Sequence, residues 1–168
     1  MSAKWSILPL VEDHLDTFRD QRTNELRRQD YLSFYAFPLA IGIACYLFDF
    51  KMQDPASILA GIAVFTALLF GLLIHIFSMG LRVNDDPRLP KSGKLATLID
   101  QLQANVSYSI LIGIITTAFL IAAAAIRENN QPINSFLSAI ITTLLVHLML
   151  TVLMALKRTR AAYAALRF

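Results

Sequence analysis

The chain has 168 residues, of which 56% are hydrophobic and only 16% are charged. A soluble domain carries about 25% charged residues, so this composition indicates a membrane protein. The net charge of +3 is interpreted as a topology signal, and no direct nucleic-acid binding is expected. The single cysteine, Cys45, lies in an apolar run, so neither a disulfide framework nor a metal site is expected.

Residues 1–30 predict an amphipathic helix at the cytoplasmic surface of the membrane. Acidic residues interrupt any apolar stretch here, so a secretory signal is not expected. Apolar side chains recur at steps of three and four residues, which places them on one helical face: Leu8, Val11, Leu15 and Phe18. This face would lie on the membrane or against a partner, and His14 is expected to be in solvent. Four basic residues follow, where they would meet anionic headgroups: Arg19, Arg22, Arg27 and Arg28.

Four apolar runs predict a bundle of four transmembrane helices, over residues 31–48, 56–81, 106–126 and 133–156. The run 56–81 contains no Asp, Glu, Lys or Arg. A helix of that length extends about 39 Å, which exceeds a hydrocarbon core of roughly 30 Å. In lipid only a helix satisfies every N–H and C=O group within one segment. Because a very short connection separates the first two runs, they are expected to form an antiparallel hairpin.

The remaining segments complete an all-α membrane protein with an N-terminal amphipathic helix. Residues 82–103 form the longest polar connection, but helical periodicity resumes at Lys94. Residues 94–126 therefore predict one long helix whose first turns stand outside the bilayer. The basic tail, residues 157–168, is expected to continue the last helix into the headgroups.

The distribution of Lys and Arg predicts that both termini and the loop 82–103 are cytoplasmic. Thirteen of the fifteen basic residues lie in these three segments, and only Lys51 and Arg127 lie in the other two connections. Positively charged loops stay on the cytoplasmic side. The pattern predicts a multi-pass membrane protein with N-in and C-in topology.

Small side chains at four-residue spacing predict faces on which helices, or copies of the chain, approach closely. One face lies in the second span and another in the third: Ala63, Ala67, Gly71, Ser109, Gly113 and Thr117. We expect homo-oligomers to form through such faces.

Few polar side chains lie inside the predicted spans, and each is expected to face the bundle or a water-filled space. The candidates for a pore lining or an interhelical hydrogen bond are His75, Thr143, His147 and Thr151. Histidine titrates near neutral pH, so a proton or ion path could use it. The simpler interpretation is one interhelical hydrogen bond for each histidine.

No catalytic constellation is visible, and neither an enzyme nor a cofactor is expected. All twelve acidic residues fall outside the predicted spans, and no phosphate-binding glycine loop, His/Cys metal spacing or nucleophile elbow is present. Coupled transport would normally require an intramembrane charge. Two classes of function remain. The first is a sensor or anchor that recruits a cytoplasmic protein partner. The second is an oligomeric, holin-like pore that depolarises the membrane.

The predicted layout combines an amphipathic N-terminal helix, an aromatic first span with Pro38, four spans and two cytoplasmic ends. This layout resembles that of the small membrane subunits of bacterial antiphage systems. The layout is most similar to the Kiwa membrane subunits of the KwaA family. This resemblance implies a homo-oligomeric inner-membrane sensor in antiviral defence that recruits a KwaB-like DNA-binding subunit. Phage exclusion proteins of the Rex type and holins share much of the layout. The resemblance covers the whole chain and assigns no residue a role.

Overall fold

The computed structural model describes residues 7–17, 28–85, 93–127 and 131–166, which form five α-helices. In chain order they are α1 (Leu8–Asp16), α2 (Arg28–Leu47), α3 (Pro55–Asp85), α4 (Lys94–Ile126) and α5 (Ser135–Leu166). The prediction of one long helix over 94–126 is confirmed. The continuation of the last helix into the basic tail is also confirmed, because α5 ends at Leu166.

Local sequence signals explain where the long helices begin. The Asp54 carboxylate accepts a hydrogen bond from the Ser57 N–H at 3.2 Å, and Pro55 fixes the first helical φ angle of α3. At the start of α5, the Asn134 side-chain oxygen accepts a hydrogen bond from the Leu137 N–H at 2.8 Å. Helices α3 and α5 therefore each start directly after a short polar side chain that satisfies a free backbone donor, whereas α4 follows Gly93 without a side-chain cap.

Three helices in the described part of the chain are long and apolar enough to cross a membrane: Pro55–Asp85, Leu95–Ile126 and Ser135–Arg160. Helix α2 contributes a shorter apolar stretch, Phe34–Leu47. At 1.5 Å per residue this stretch rises about 20 Å, less than a hydrocarbon core. The all-helical fold with long apolar helices is confirmed, whereas the fourth span stays a prediction.

The helices pack in the order α2, α5, α4, α3, and α1 lies against α4. The expected hairpin of the first two spans is wrong, because the described parts of α2 and α3 make no helix–helix contact. The connection between them crosses the start of α5. There the Met52 N–H donates to Ser138 Oγ at 3.0 Å, and the Met52 carbonyl accepts from the Ile133 N–H at 2.9 Å. With the connection fixed in this way, α2 packs against α5 and α3 packs against α4, on opposite sides of the α4–α5 pair.

Two glycines lie at close contacts between helices. A Cβ atom built on Gly42 in α2 would lie 1.9 Å from Thr143 Oγ1 in α5. A Cβ atom on Gly113 in α4 would lie 2.5 Å from Thr66 Oγ1 in α3. Both distances are far below an ordinary contact, so a side chain at either glycine would force the facing threonine or the helix itself to shift.

The apolar core lies between α3, α4 and α5. Leu120, Ile141 and Leu148 are completely buried in it, and Ile76 anchors a second cluster toward the α1 end. The outer face of α3 carries large apolar side chains at high exposure, including Leu68 and Ile74. A contiguous exposed surface of this kind suits lipid or another apolar partner better than water.

Candidate functional site: a buried polar cluster beneath helix α1

His14, on the short peripheral helix α1, is completely buried. Its Nδ1 lies 2.8 Å from Asn105 Oδ1 on α4. The amide oxygen only accepts, so Nδ1 carries the hydrogen of this bond. Thr17 follows one turn later, donates from Oγ1 to the His14 carbonyl at 2.6 Å, and lies 3.3 Å from the same amide oxygen. The expectation that His14 is in solvent is therefore wrong.

The His14 ring stacks face to face on Tyr108 of α4, with 3.9 Å between ring centroids and 4° between ring planes. The Tyr108 hydroxyl lies 3.0 Å from His147 Nε2 on α5. The Tyr108 side chain therefore links His147 on α5 to His14 on α1. Stacked or edge-to-face aromatic pairs contribute about 0.5–1.5 kcal/mol beyond their buried area.

Helix α2 completes the enclosure. Phe34 packs edge-on against His147 at 5.1 Å and tilted against His14 at 5.7 Å between centroids. The Phe34 backbone also hydrogen-bonds to His147. We call His14, Phe34, Asn105, Tyr108 and His147 the histidine cluster. It joins α1, α2, α4 and α5 in the half of the molecule where α4 begins.

The basic side chain of Arg158 on α5 connects α1 and α4 next to the histidine cluster. The Arg158 guanidinium donates one hydrogen bond to the Gln101 side-chain oxygen on α4 and another to the Thr17 carbonyl. Arg158 is half-buried, and it belongs to the tail that the sequence assigns to the cytoplasm. Helix α1, the first turns of α4 and the end of α5 therefore form one continuous surface.

A cleft of about 420 Å³ opens between α1 and α4 on this surface. Its charged lining consists of Asp13 and Asp16 on α1 and Asp100 on α4, and Gln103 and Ser107 contribute further polar groups. Among the described residues, no group of three or more His, Cys, Asp or Glu is placed to hold a metal ion.

Burial lowers the pKa of His14 from 6.5 to about 4, because the charged imidazole loses its hydration. The hydrogen bond with Asn105 opposes this shift, whereas His147 and Arg158 reinforce it electrostatically. His14 is therefore neutral in the docked structure near pH 7.

The predicted apolar face of α1 is only partly exposed. Leu8 is exposed, but Val11 and Leu15 are half-buried, and Val11 packs against the core. Part of the face that was predicted to lie on the membrane or against a partner therefore docks α1 on the chain's own helix α4. Arg28 is the first residue of α2. The other predicted members lie outside the described residues: Phe18, Arg19, Arg22 and Arg27.

The two small-residue faces behave differently. In α4, Ser109 is completely buried and donates to the Asn105 carbonyl, Gly113 meets α3, and Thr117 is half-buried. In α3, Ala63, Ala67 and Gly71 are all exposed, and a Cβ atom on Gly71 would meet nothing within 4 Å. The α4 face thus packs inside the chain, and the α3 face remains available to lipid or a second copy.

The predicted pore residues do not share one environment. Thr143 donates to the Ala139 carbonyl and faces Gly42, Thr151 donates to the His147 carbonyl, and His147 itself belongs to the histidine cluster. His75 is exposed on α3, on the far side of α4 from α5. Three of the four side chains therefore have partners inside the chain.

Sequence analysis missed Asn105, Tyr108 and Arg158, and it placed His14 in solvent. His14 stands three residues after Val11, at the edge of the same helical face, which is the one local signal for its burial. Its partner Asn105 lies 91 residues away in sequence, so periodicity could not pair them.

The chain matches no family model, and no curated protein or solved structure is significantly similar to it.

Proposed function

We propose that this protein is a non-enzymatic, multi-pass anchor or sensor of the bacterial inner membrane that oligomerises and recruits a cytoplasmic protein partner. The observation that carries this proposal is the Arg158 bridge, which joins Thr17 on α1 to Gln101 on α4. This one surface thus includes parts of all three segments that are predicted to be cytoplasmic: the N-terminal segment, the loop 82–103 and the basic tail. The resemblance to Kiwa membrane subunits suggests antiphage defence as the setting and a KwaB-like protein as the partner.

The topology proposed with this function has four spans, with both termini inside. The described ends of α3, α4 and α5 support it, because Gly80 on α3 lies beside Ile99 at the start of α4, and Arg158 reaches Gln101. The connection with Met52 contacts the opposite end of α5. Helix α2 would complete the fourth crossing with help from its polar first turn, because short apolar stretches are accommodated by local thinning of the bilayer.

The partner surface would include the exposed apolar end of α1. Ile7 and Leu8 are 52% and 67% exposed, and both border the residues that dock α1. Shaped apolar contacts discriminate between partners, whereas each basic group near an anionic membrane contributes about 1 kcal/mol of non-specific attraction. The acidic cleft beside α1 would add charge selectivity to this surface.

The test is quantitative cross-linking and co-purification from the native host with the full chain in nanodiscs. We expect Leu8→Ser to insert normally and to lose a reproducible soluble partner. Ile126→Ser is the matched control, because Ile126 is an equally exposed apolar residue at the opposite end. Equal capture by both variants, or no partner-dependent phenotype in phage plating, would contradict the proposal.

The alternative, an oligomeric pore, is tested in the same preparation by ion flux into liposomes. The internal bonding of Thr143, His147 and Thr151 favours the recruiting function. Selective flux that is abolished by His147→Ala would favour the pore instead.

A further inference from the structure

Helix α2 contains a proline in its interior, Pro38, and continues as a helix on both sides of it. Proline has no backbone N–H, so Pro38 cannot donate to the carbonyl of Phe34, four residues earlier, as an ordinary helical residue would. Phe34 is buried, and a carbonyl inside a membrane bundle is satisfied by a neighbouring helix when its own helix supplies no donor.

Helix α5 supplies a donor at this point. The His147 imidazole hydrogen-bonds to the Phe34 backbone, and the two rings pack edge-on at 5.1 Å between centroids. A carbonyl oxygen only accepts, so the imidazole donates this bond. The same imidazole lies 3.0 Å from the Tyr108 hydroxyl through Nε2. One side chain of α5 therefore bonds both α2 and α4.

The face of α2 that meets α5 places the proline and this carbonyl together. Phe34, Pro38 and Gly42 follow at four-residue steps and are all buried. The ring of a helical proline lies on the same side as the carbonyl four residues before it. Since Gly42 on this face touches Thr143 of α5, the Phe34 carbonyl faces α5 as well.

The two halves of α2 are held to α5 in different ways. Residues 39–47 are fixed by the Gly42 crossing and by the connection beyond them, where the Met52 N–H donates to Ser138 Oγ at 3.0 Å. In residues 28–37, the rings of Phe34 and Tyr35 both pack against His147. We call 28–37 the hinged half and 39–47 the fixed half.

We propose that α2 hinges at Pro38, and that His147 clamps the hinged half to α5 by donating to the Phe34 carbonyl. His147 is a positioning residue in this device. Because the Phe34 ring also packs against His14 at 5.7 Å, the position of the hinged half is communicated to α1. The clamp acts within one chain and does not depend on a recruited partner.

The first experiment is a double-mutant cycle on the full chain, unfolded with SDS in mixed micelles. His147→Phe removes the donor and keeps a ring. It should raise the unfolding equilibrium constant about tenfold more in the wild-type chain than in a Pro38→Ala chain, where the restored N–H at position 38 serves the Phe34 carbonyl. The lost contact with Tyr108 is common to both chains and cancels in this ratio.

Pro55→Ala is the matched control for the proline change. Pro55 is also completely buried, but it begins α3, where a backbone N–H has no partner within the helix. His147→Phe should therefore have the same effect with and without Pro55→Ala.

The second experiment observes the carbonyl itself by NMR. Phe34–Tyr35 is the only Phe–Tyr pair in the sequence, so ¹³C-carbonyl phenylalanine and ¹⁵N-tyrosine together give one HNCO signal. Loss of a hydrogen bond moves a carbonyl carbon upfield. We expect this movement on His147→Phe in the wild-type chain and a smaller one in the Pro38→Ala chain, since any effect of exchanging the ring is shared.

The third experiment measures the hinge with spin labels in nanodiscs, after Cys45→Ser removes the native thiol. One label pair joins Leu32→Cys to Leu153→Cys on α5, and the other joins Ile43→Cys to Leu153→Cys; all three positions are exposed. His147→Phe should broaden the distances from position 32 in the hinged half and leave those from position 43 in the fixed half unchanged.

An equal effect of His147→Phe in the wild-type and Pro38→Ala chains would refute the clamp, and so would a carbonyl signal that His147→Phe leaves in place. Unchanged distances from position 32, or equal broadening from position 43, would refute the hinge. If His147→Phe does not fold, adding Pro38→Ala should restore folding, and failure of the double variant to fold would also reject the proposal.

Discussion

The crossing of α2 and α5 at Gly42 provides a sharp test of the helix order. A Cβ atom at this position would lie 1.9 Å from Thr143 Oγ1, about 1.5 Å short of an ordinary contact, and 3.3 Å from the Ala139 carbonyl. Turning Thr143 away would disturb the hydrogen bond that its hydroxyl donates to that carbonyl at 2.8 Å, and Thr143 Cβ itself lies 3.3 Å from the same position. Gly42→Ala should therefore separate the two helices and lower the free energy of unfolding by about 1–3 kcal/mol.

The assay is unfolding in mixed micelles by increasing mole fraction of SDS, followed by circular dichroism. Gly71→Ala is the matched control, because nothing lies within 4 Å of a Cβ atom there. The control should be neutral or stabilising by up to about 1 kcal/mol, since alanine favours a helix over glycine.

A rescue variant isolates the contact itself. Thr143→Ala removes the clashing oxygen, so the double variant with Gly42→Ala should recover most of the lost stability, and the two changes should be non-additive. If Gly42→Ala matched the Gly71 control, or if Thr143→Ala gave no rescue, α2 would not pack on α5 at this point.

Two further predictions test the topology and the outer surface. Reporter fusions after Lys51 should be periplasmic and those at Lys91 cytoplasmic, and a periplasmic signal at Lys91 would overturn the proposed order of crossings. Gly71→Leu adds bulk to the exposed face of α3, so it should shift detergent-solubilised oligomers toward monomers in size-exclusion chromatography with light scattering. An elution profile identical to wild type would mean that this face contacts lipid.

The long helices could be predicted from sequence because their signal is local and redundant. Helix α4 has the predicted bounds, Lys94 to Ile126, since uninterrupted apolar periodicity needs no knowledge of the rest of the chain. The same reasoning also predicts a transmembrane span in α2. The apolar part of α2, Phe34–Leu47, is too short to support that span by length alone.

The helix order could not be predicted, because it depends on which surfaces fit each other. The short connection after α2 suggested that α2 and α3 are neighbours, yet Gly42 fits Thr143 on α5 and Gly113 fits Thr66 on α3. Spacing identifies Gly113 as a place for close approach, but it does not say which helix approaches, and Gly42 was not in a predicted small-residue face. Sequence order is a weak guide when one residue without a side chain decides the contact.

The histidine cluster shows why the docking of α1 on α4 lies beyond sequence patterns. An amphipathic helix that only floated on lipid would bury apolar side chains and leave His14 in water. Instead, α1 buries His14 and Thr17 against Asn105, so part of its docking free energy comes from hydrogen bonds and ring stacking. Each of these hydrogen bonds fixes both the distance and the direction between two side chains, which hydrophobic periodicity does not encode.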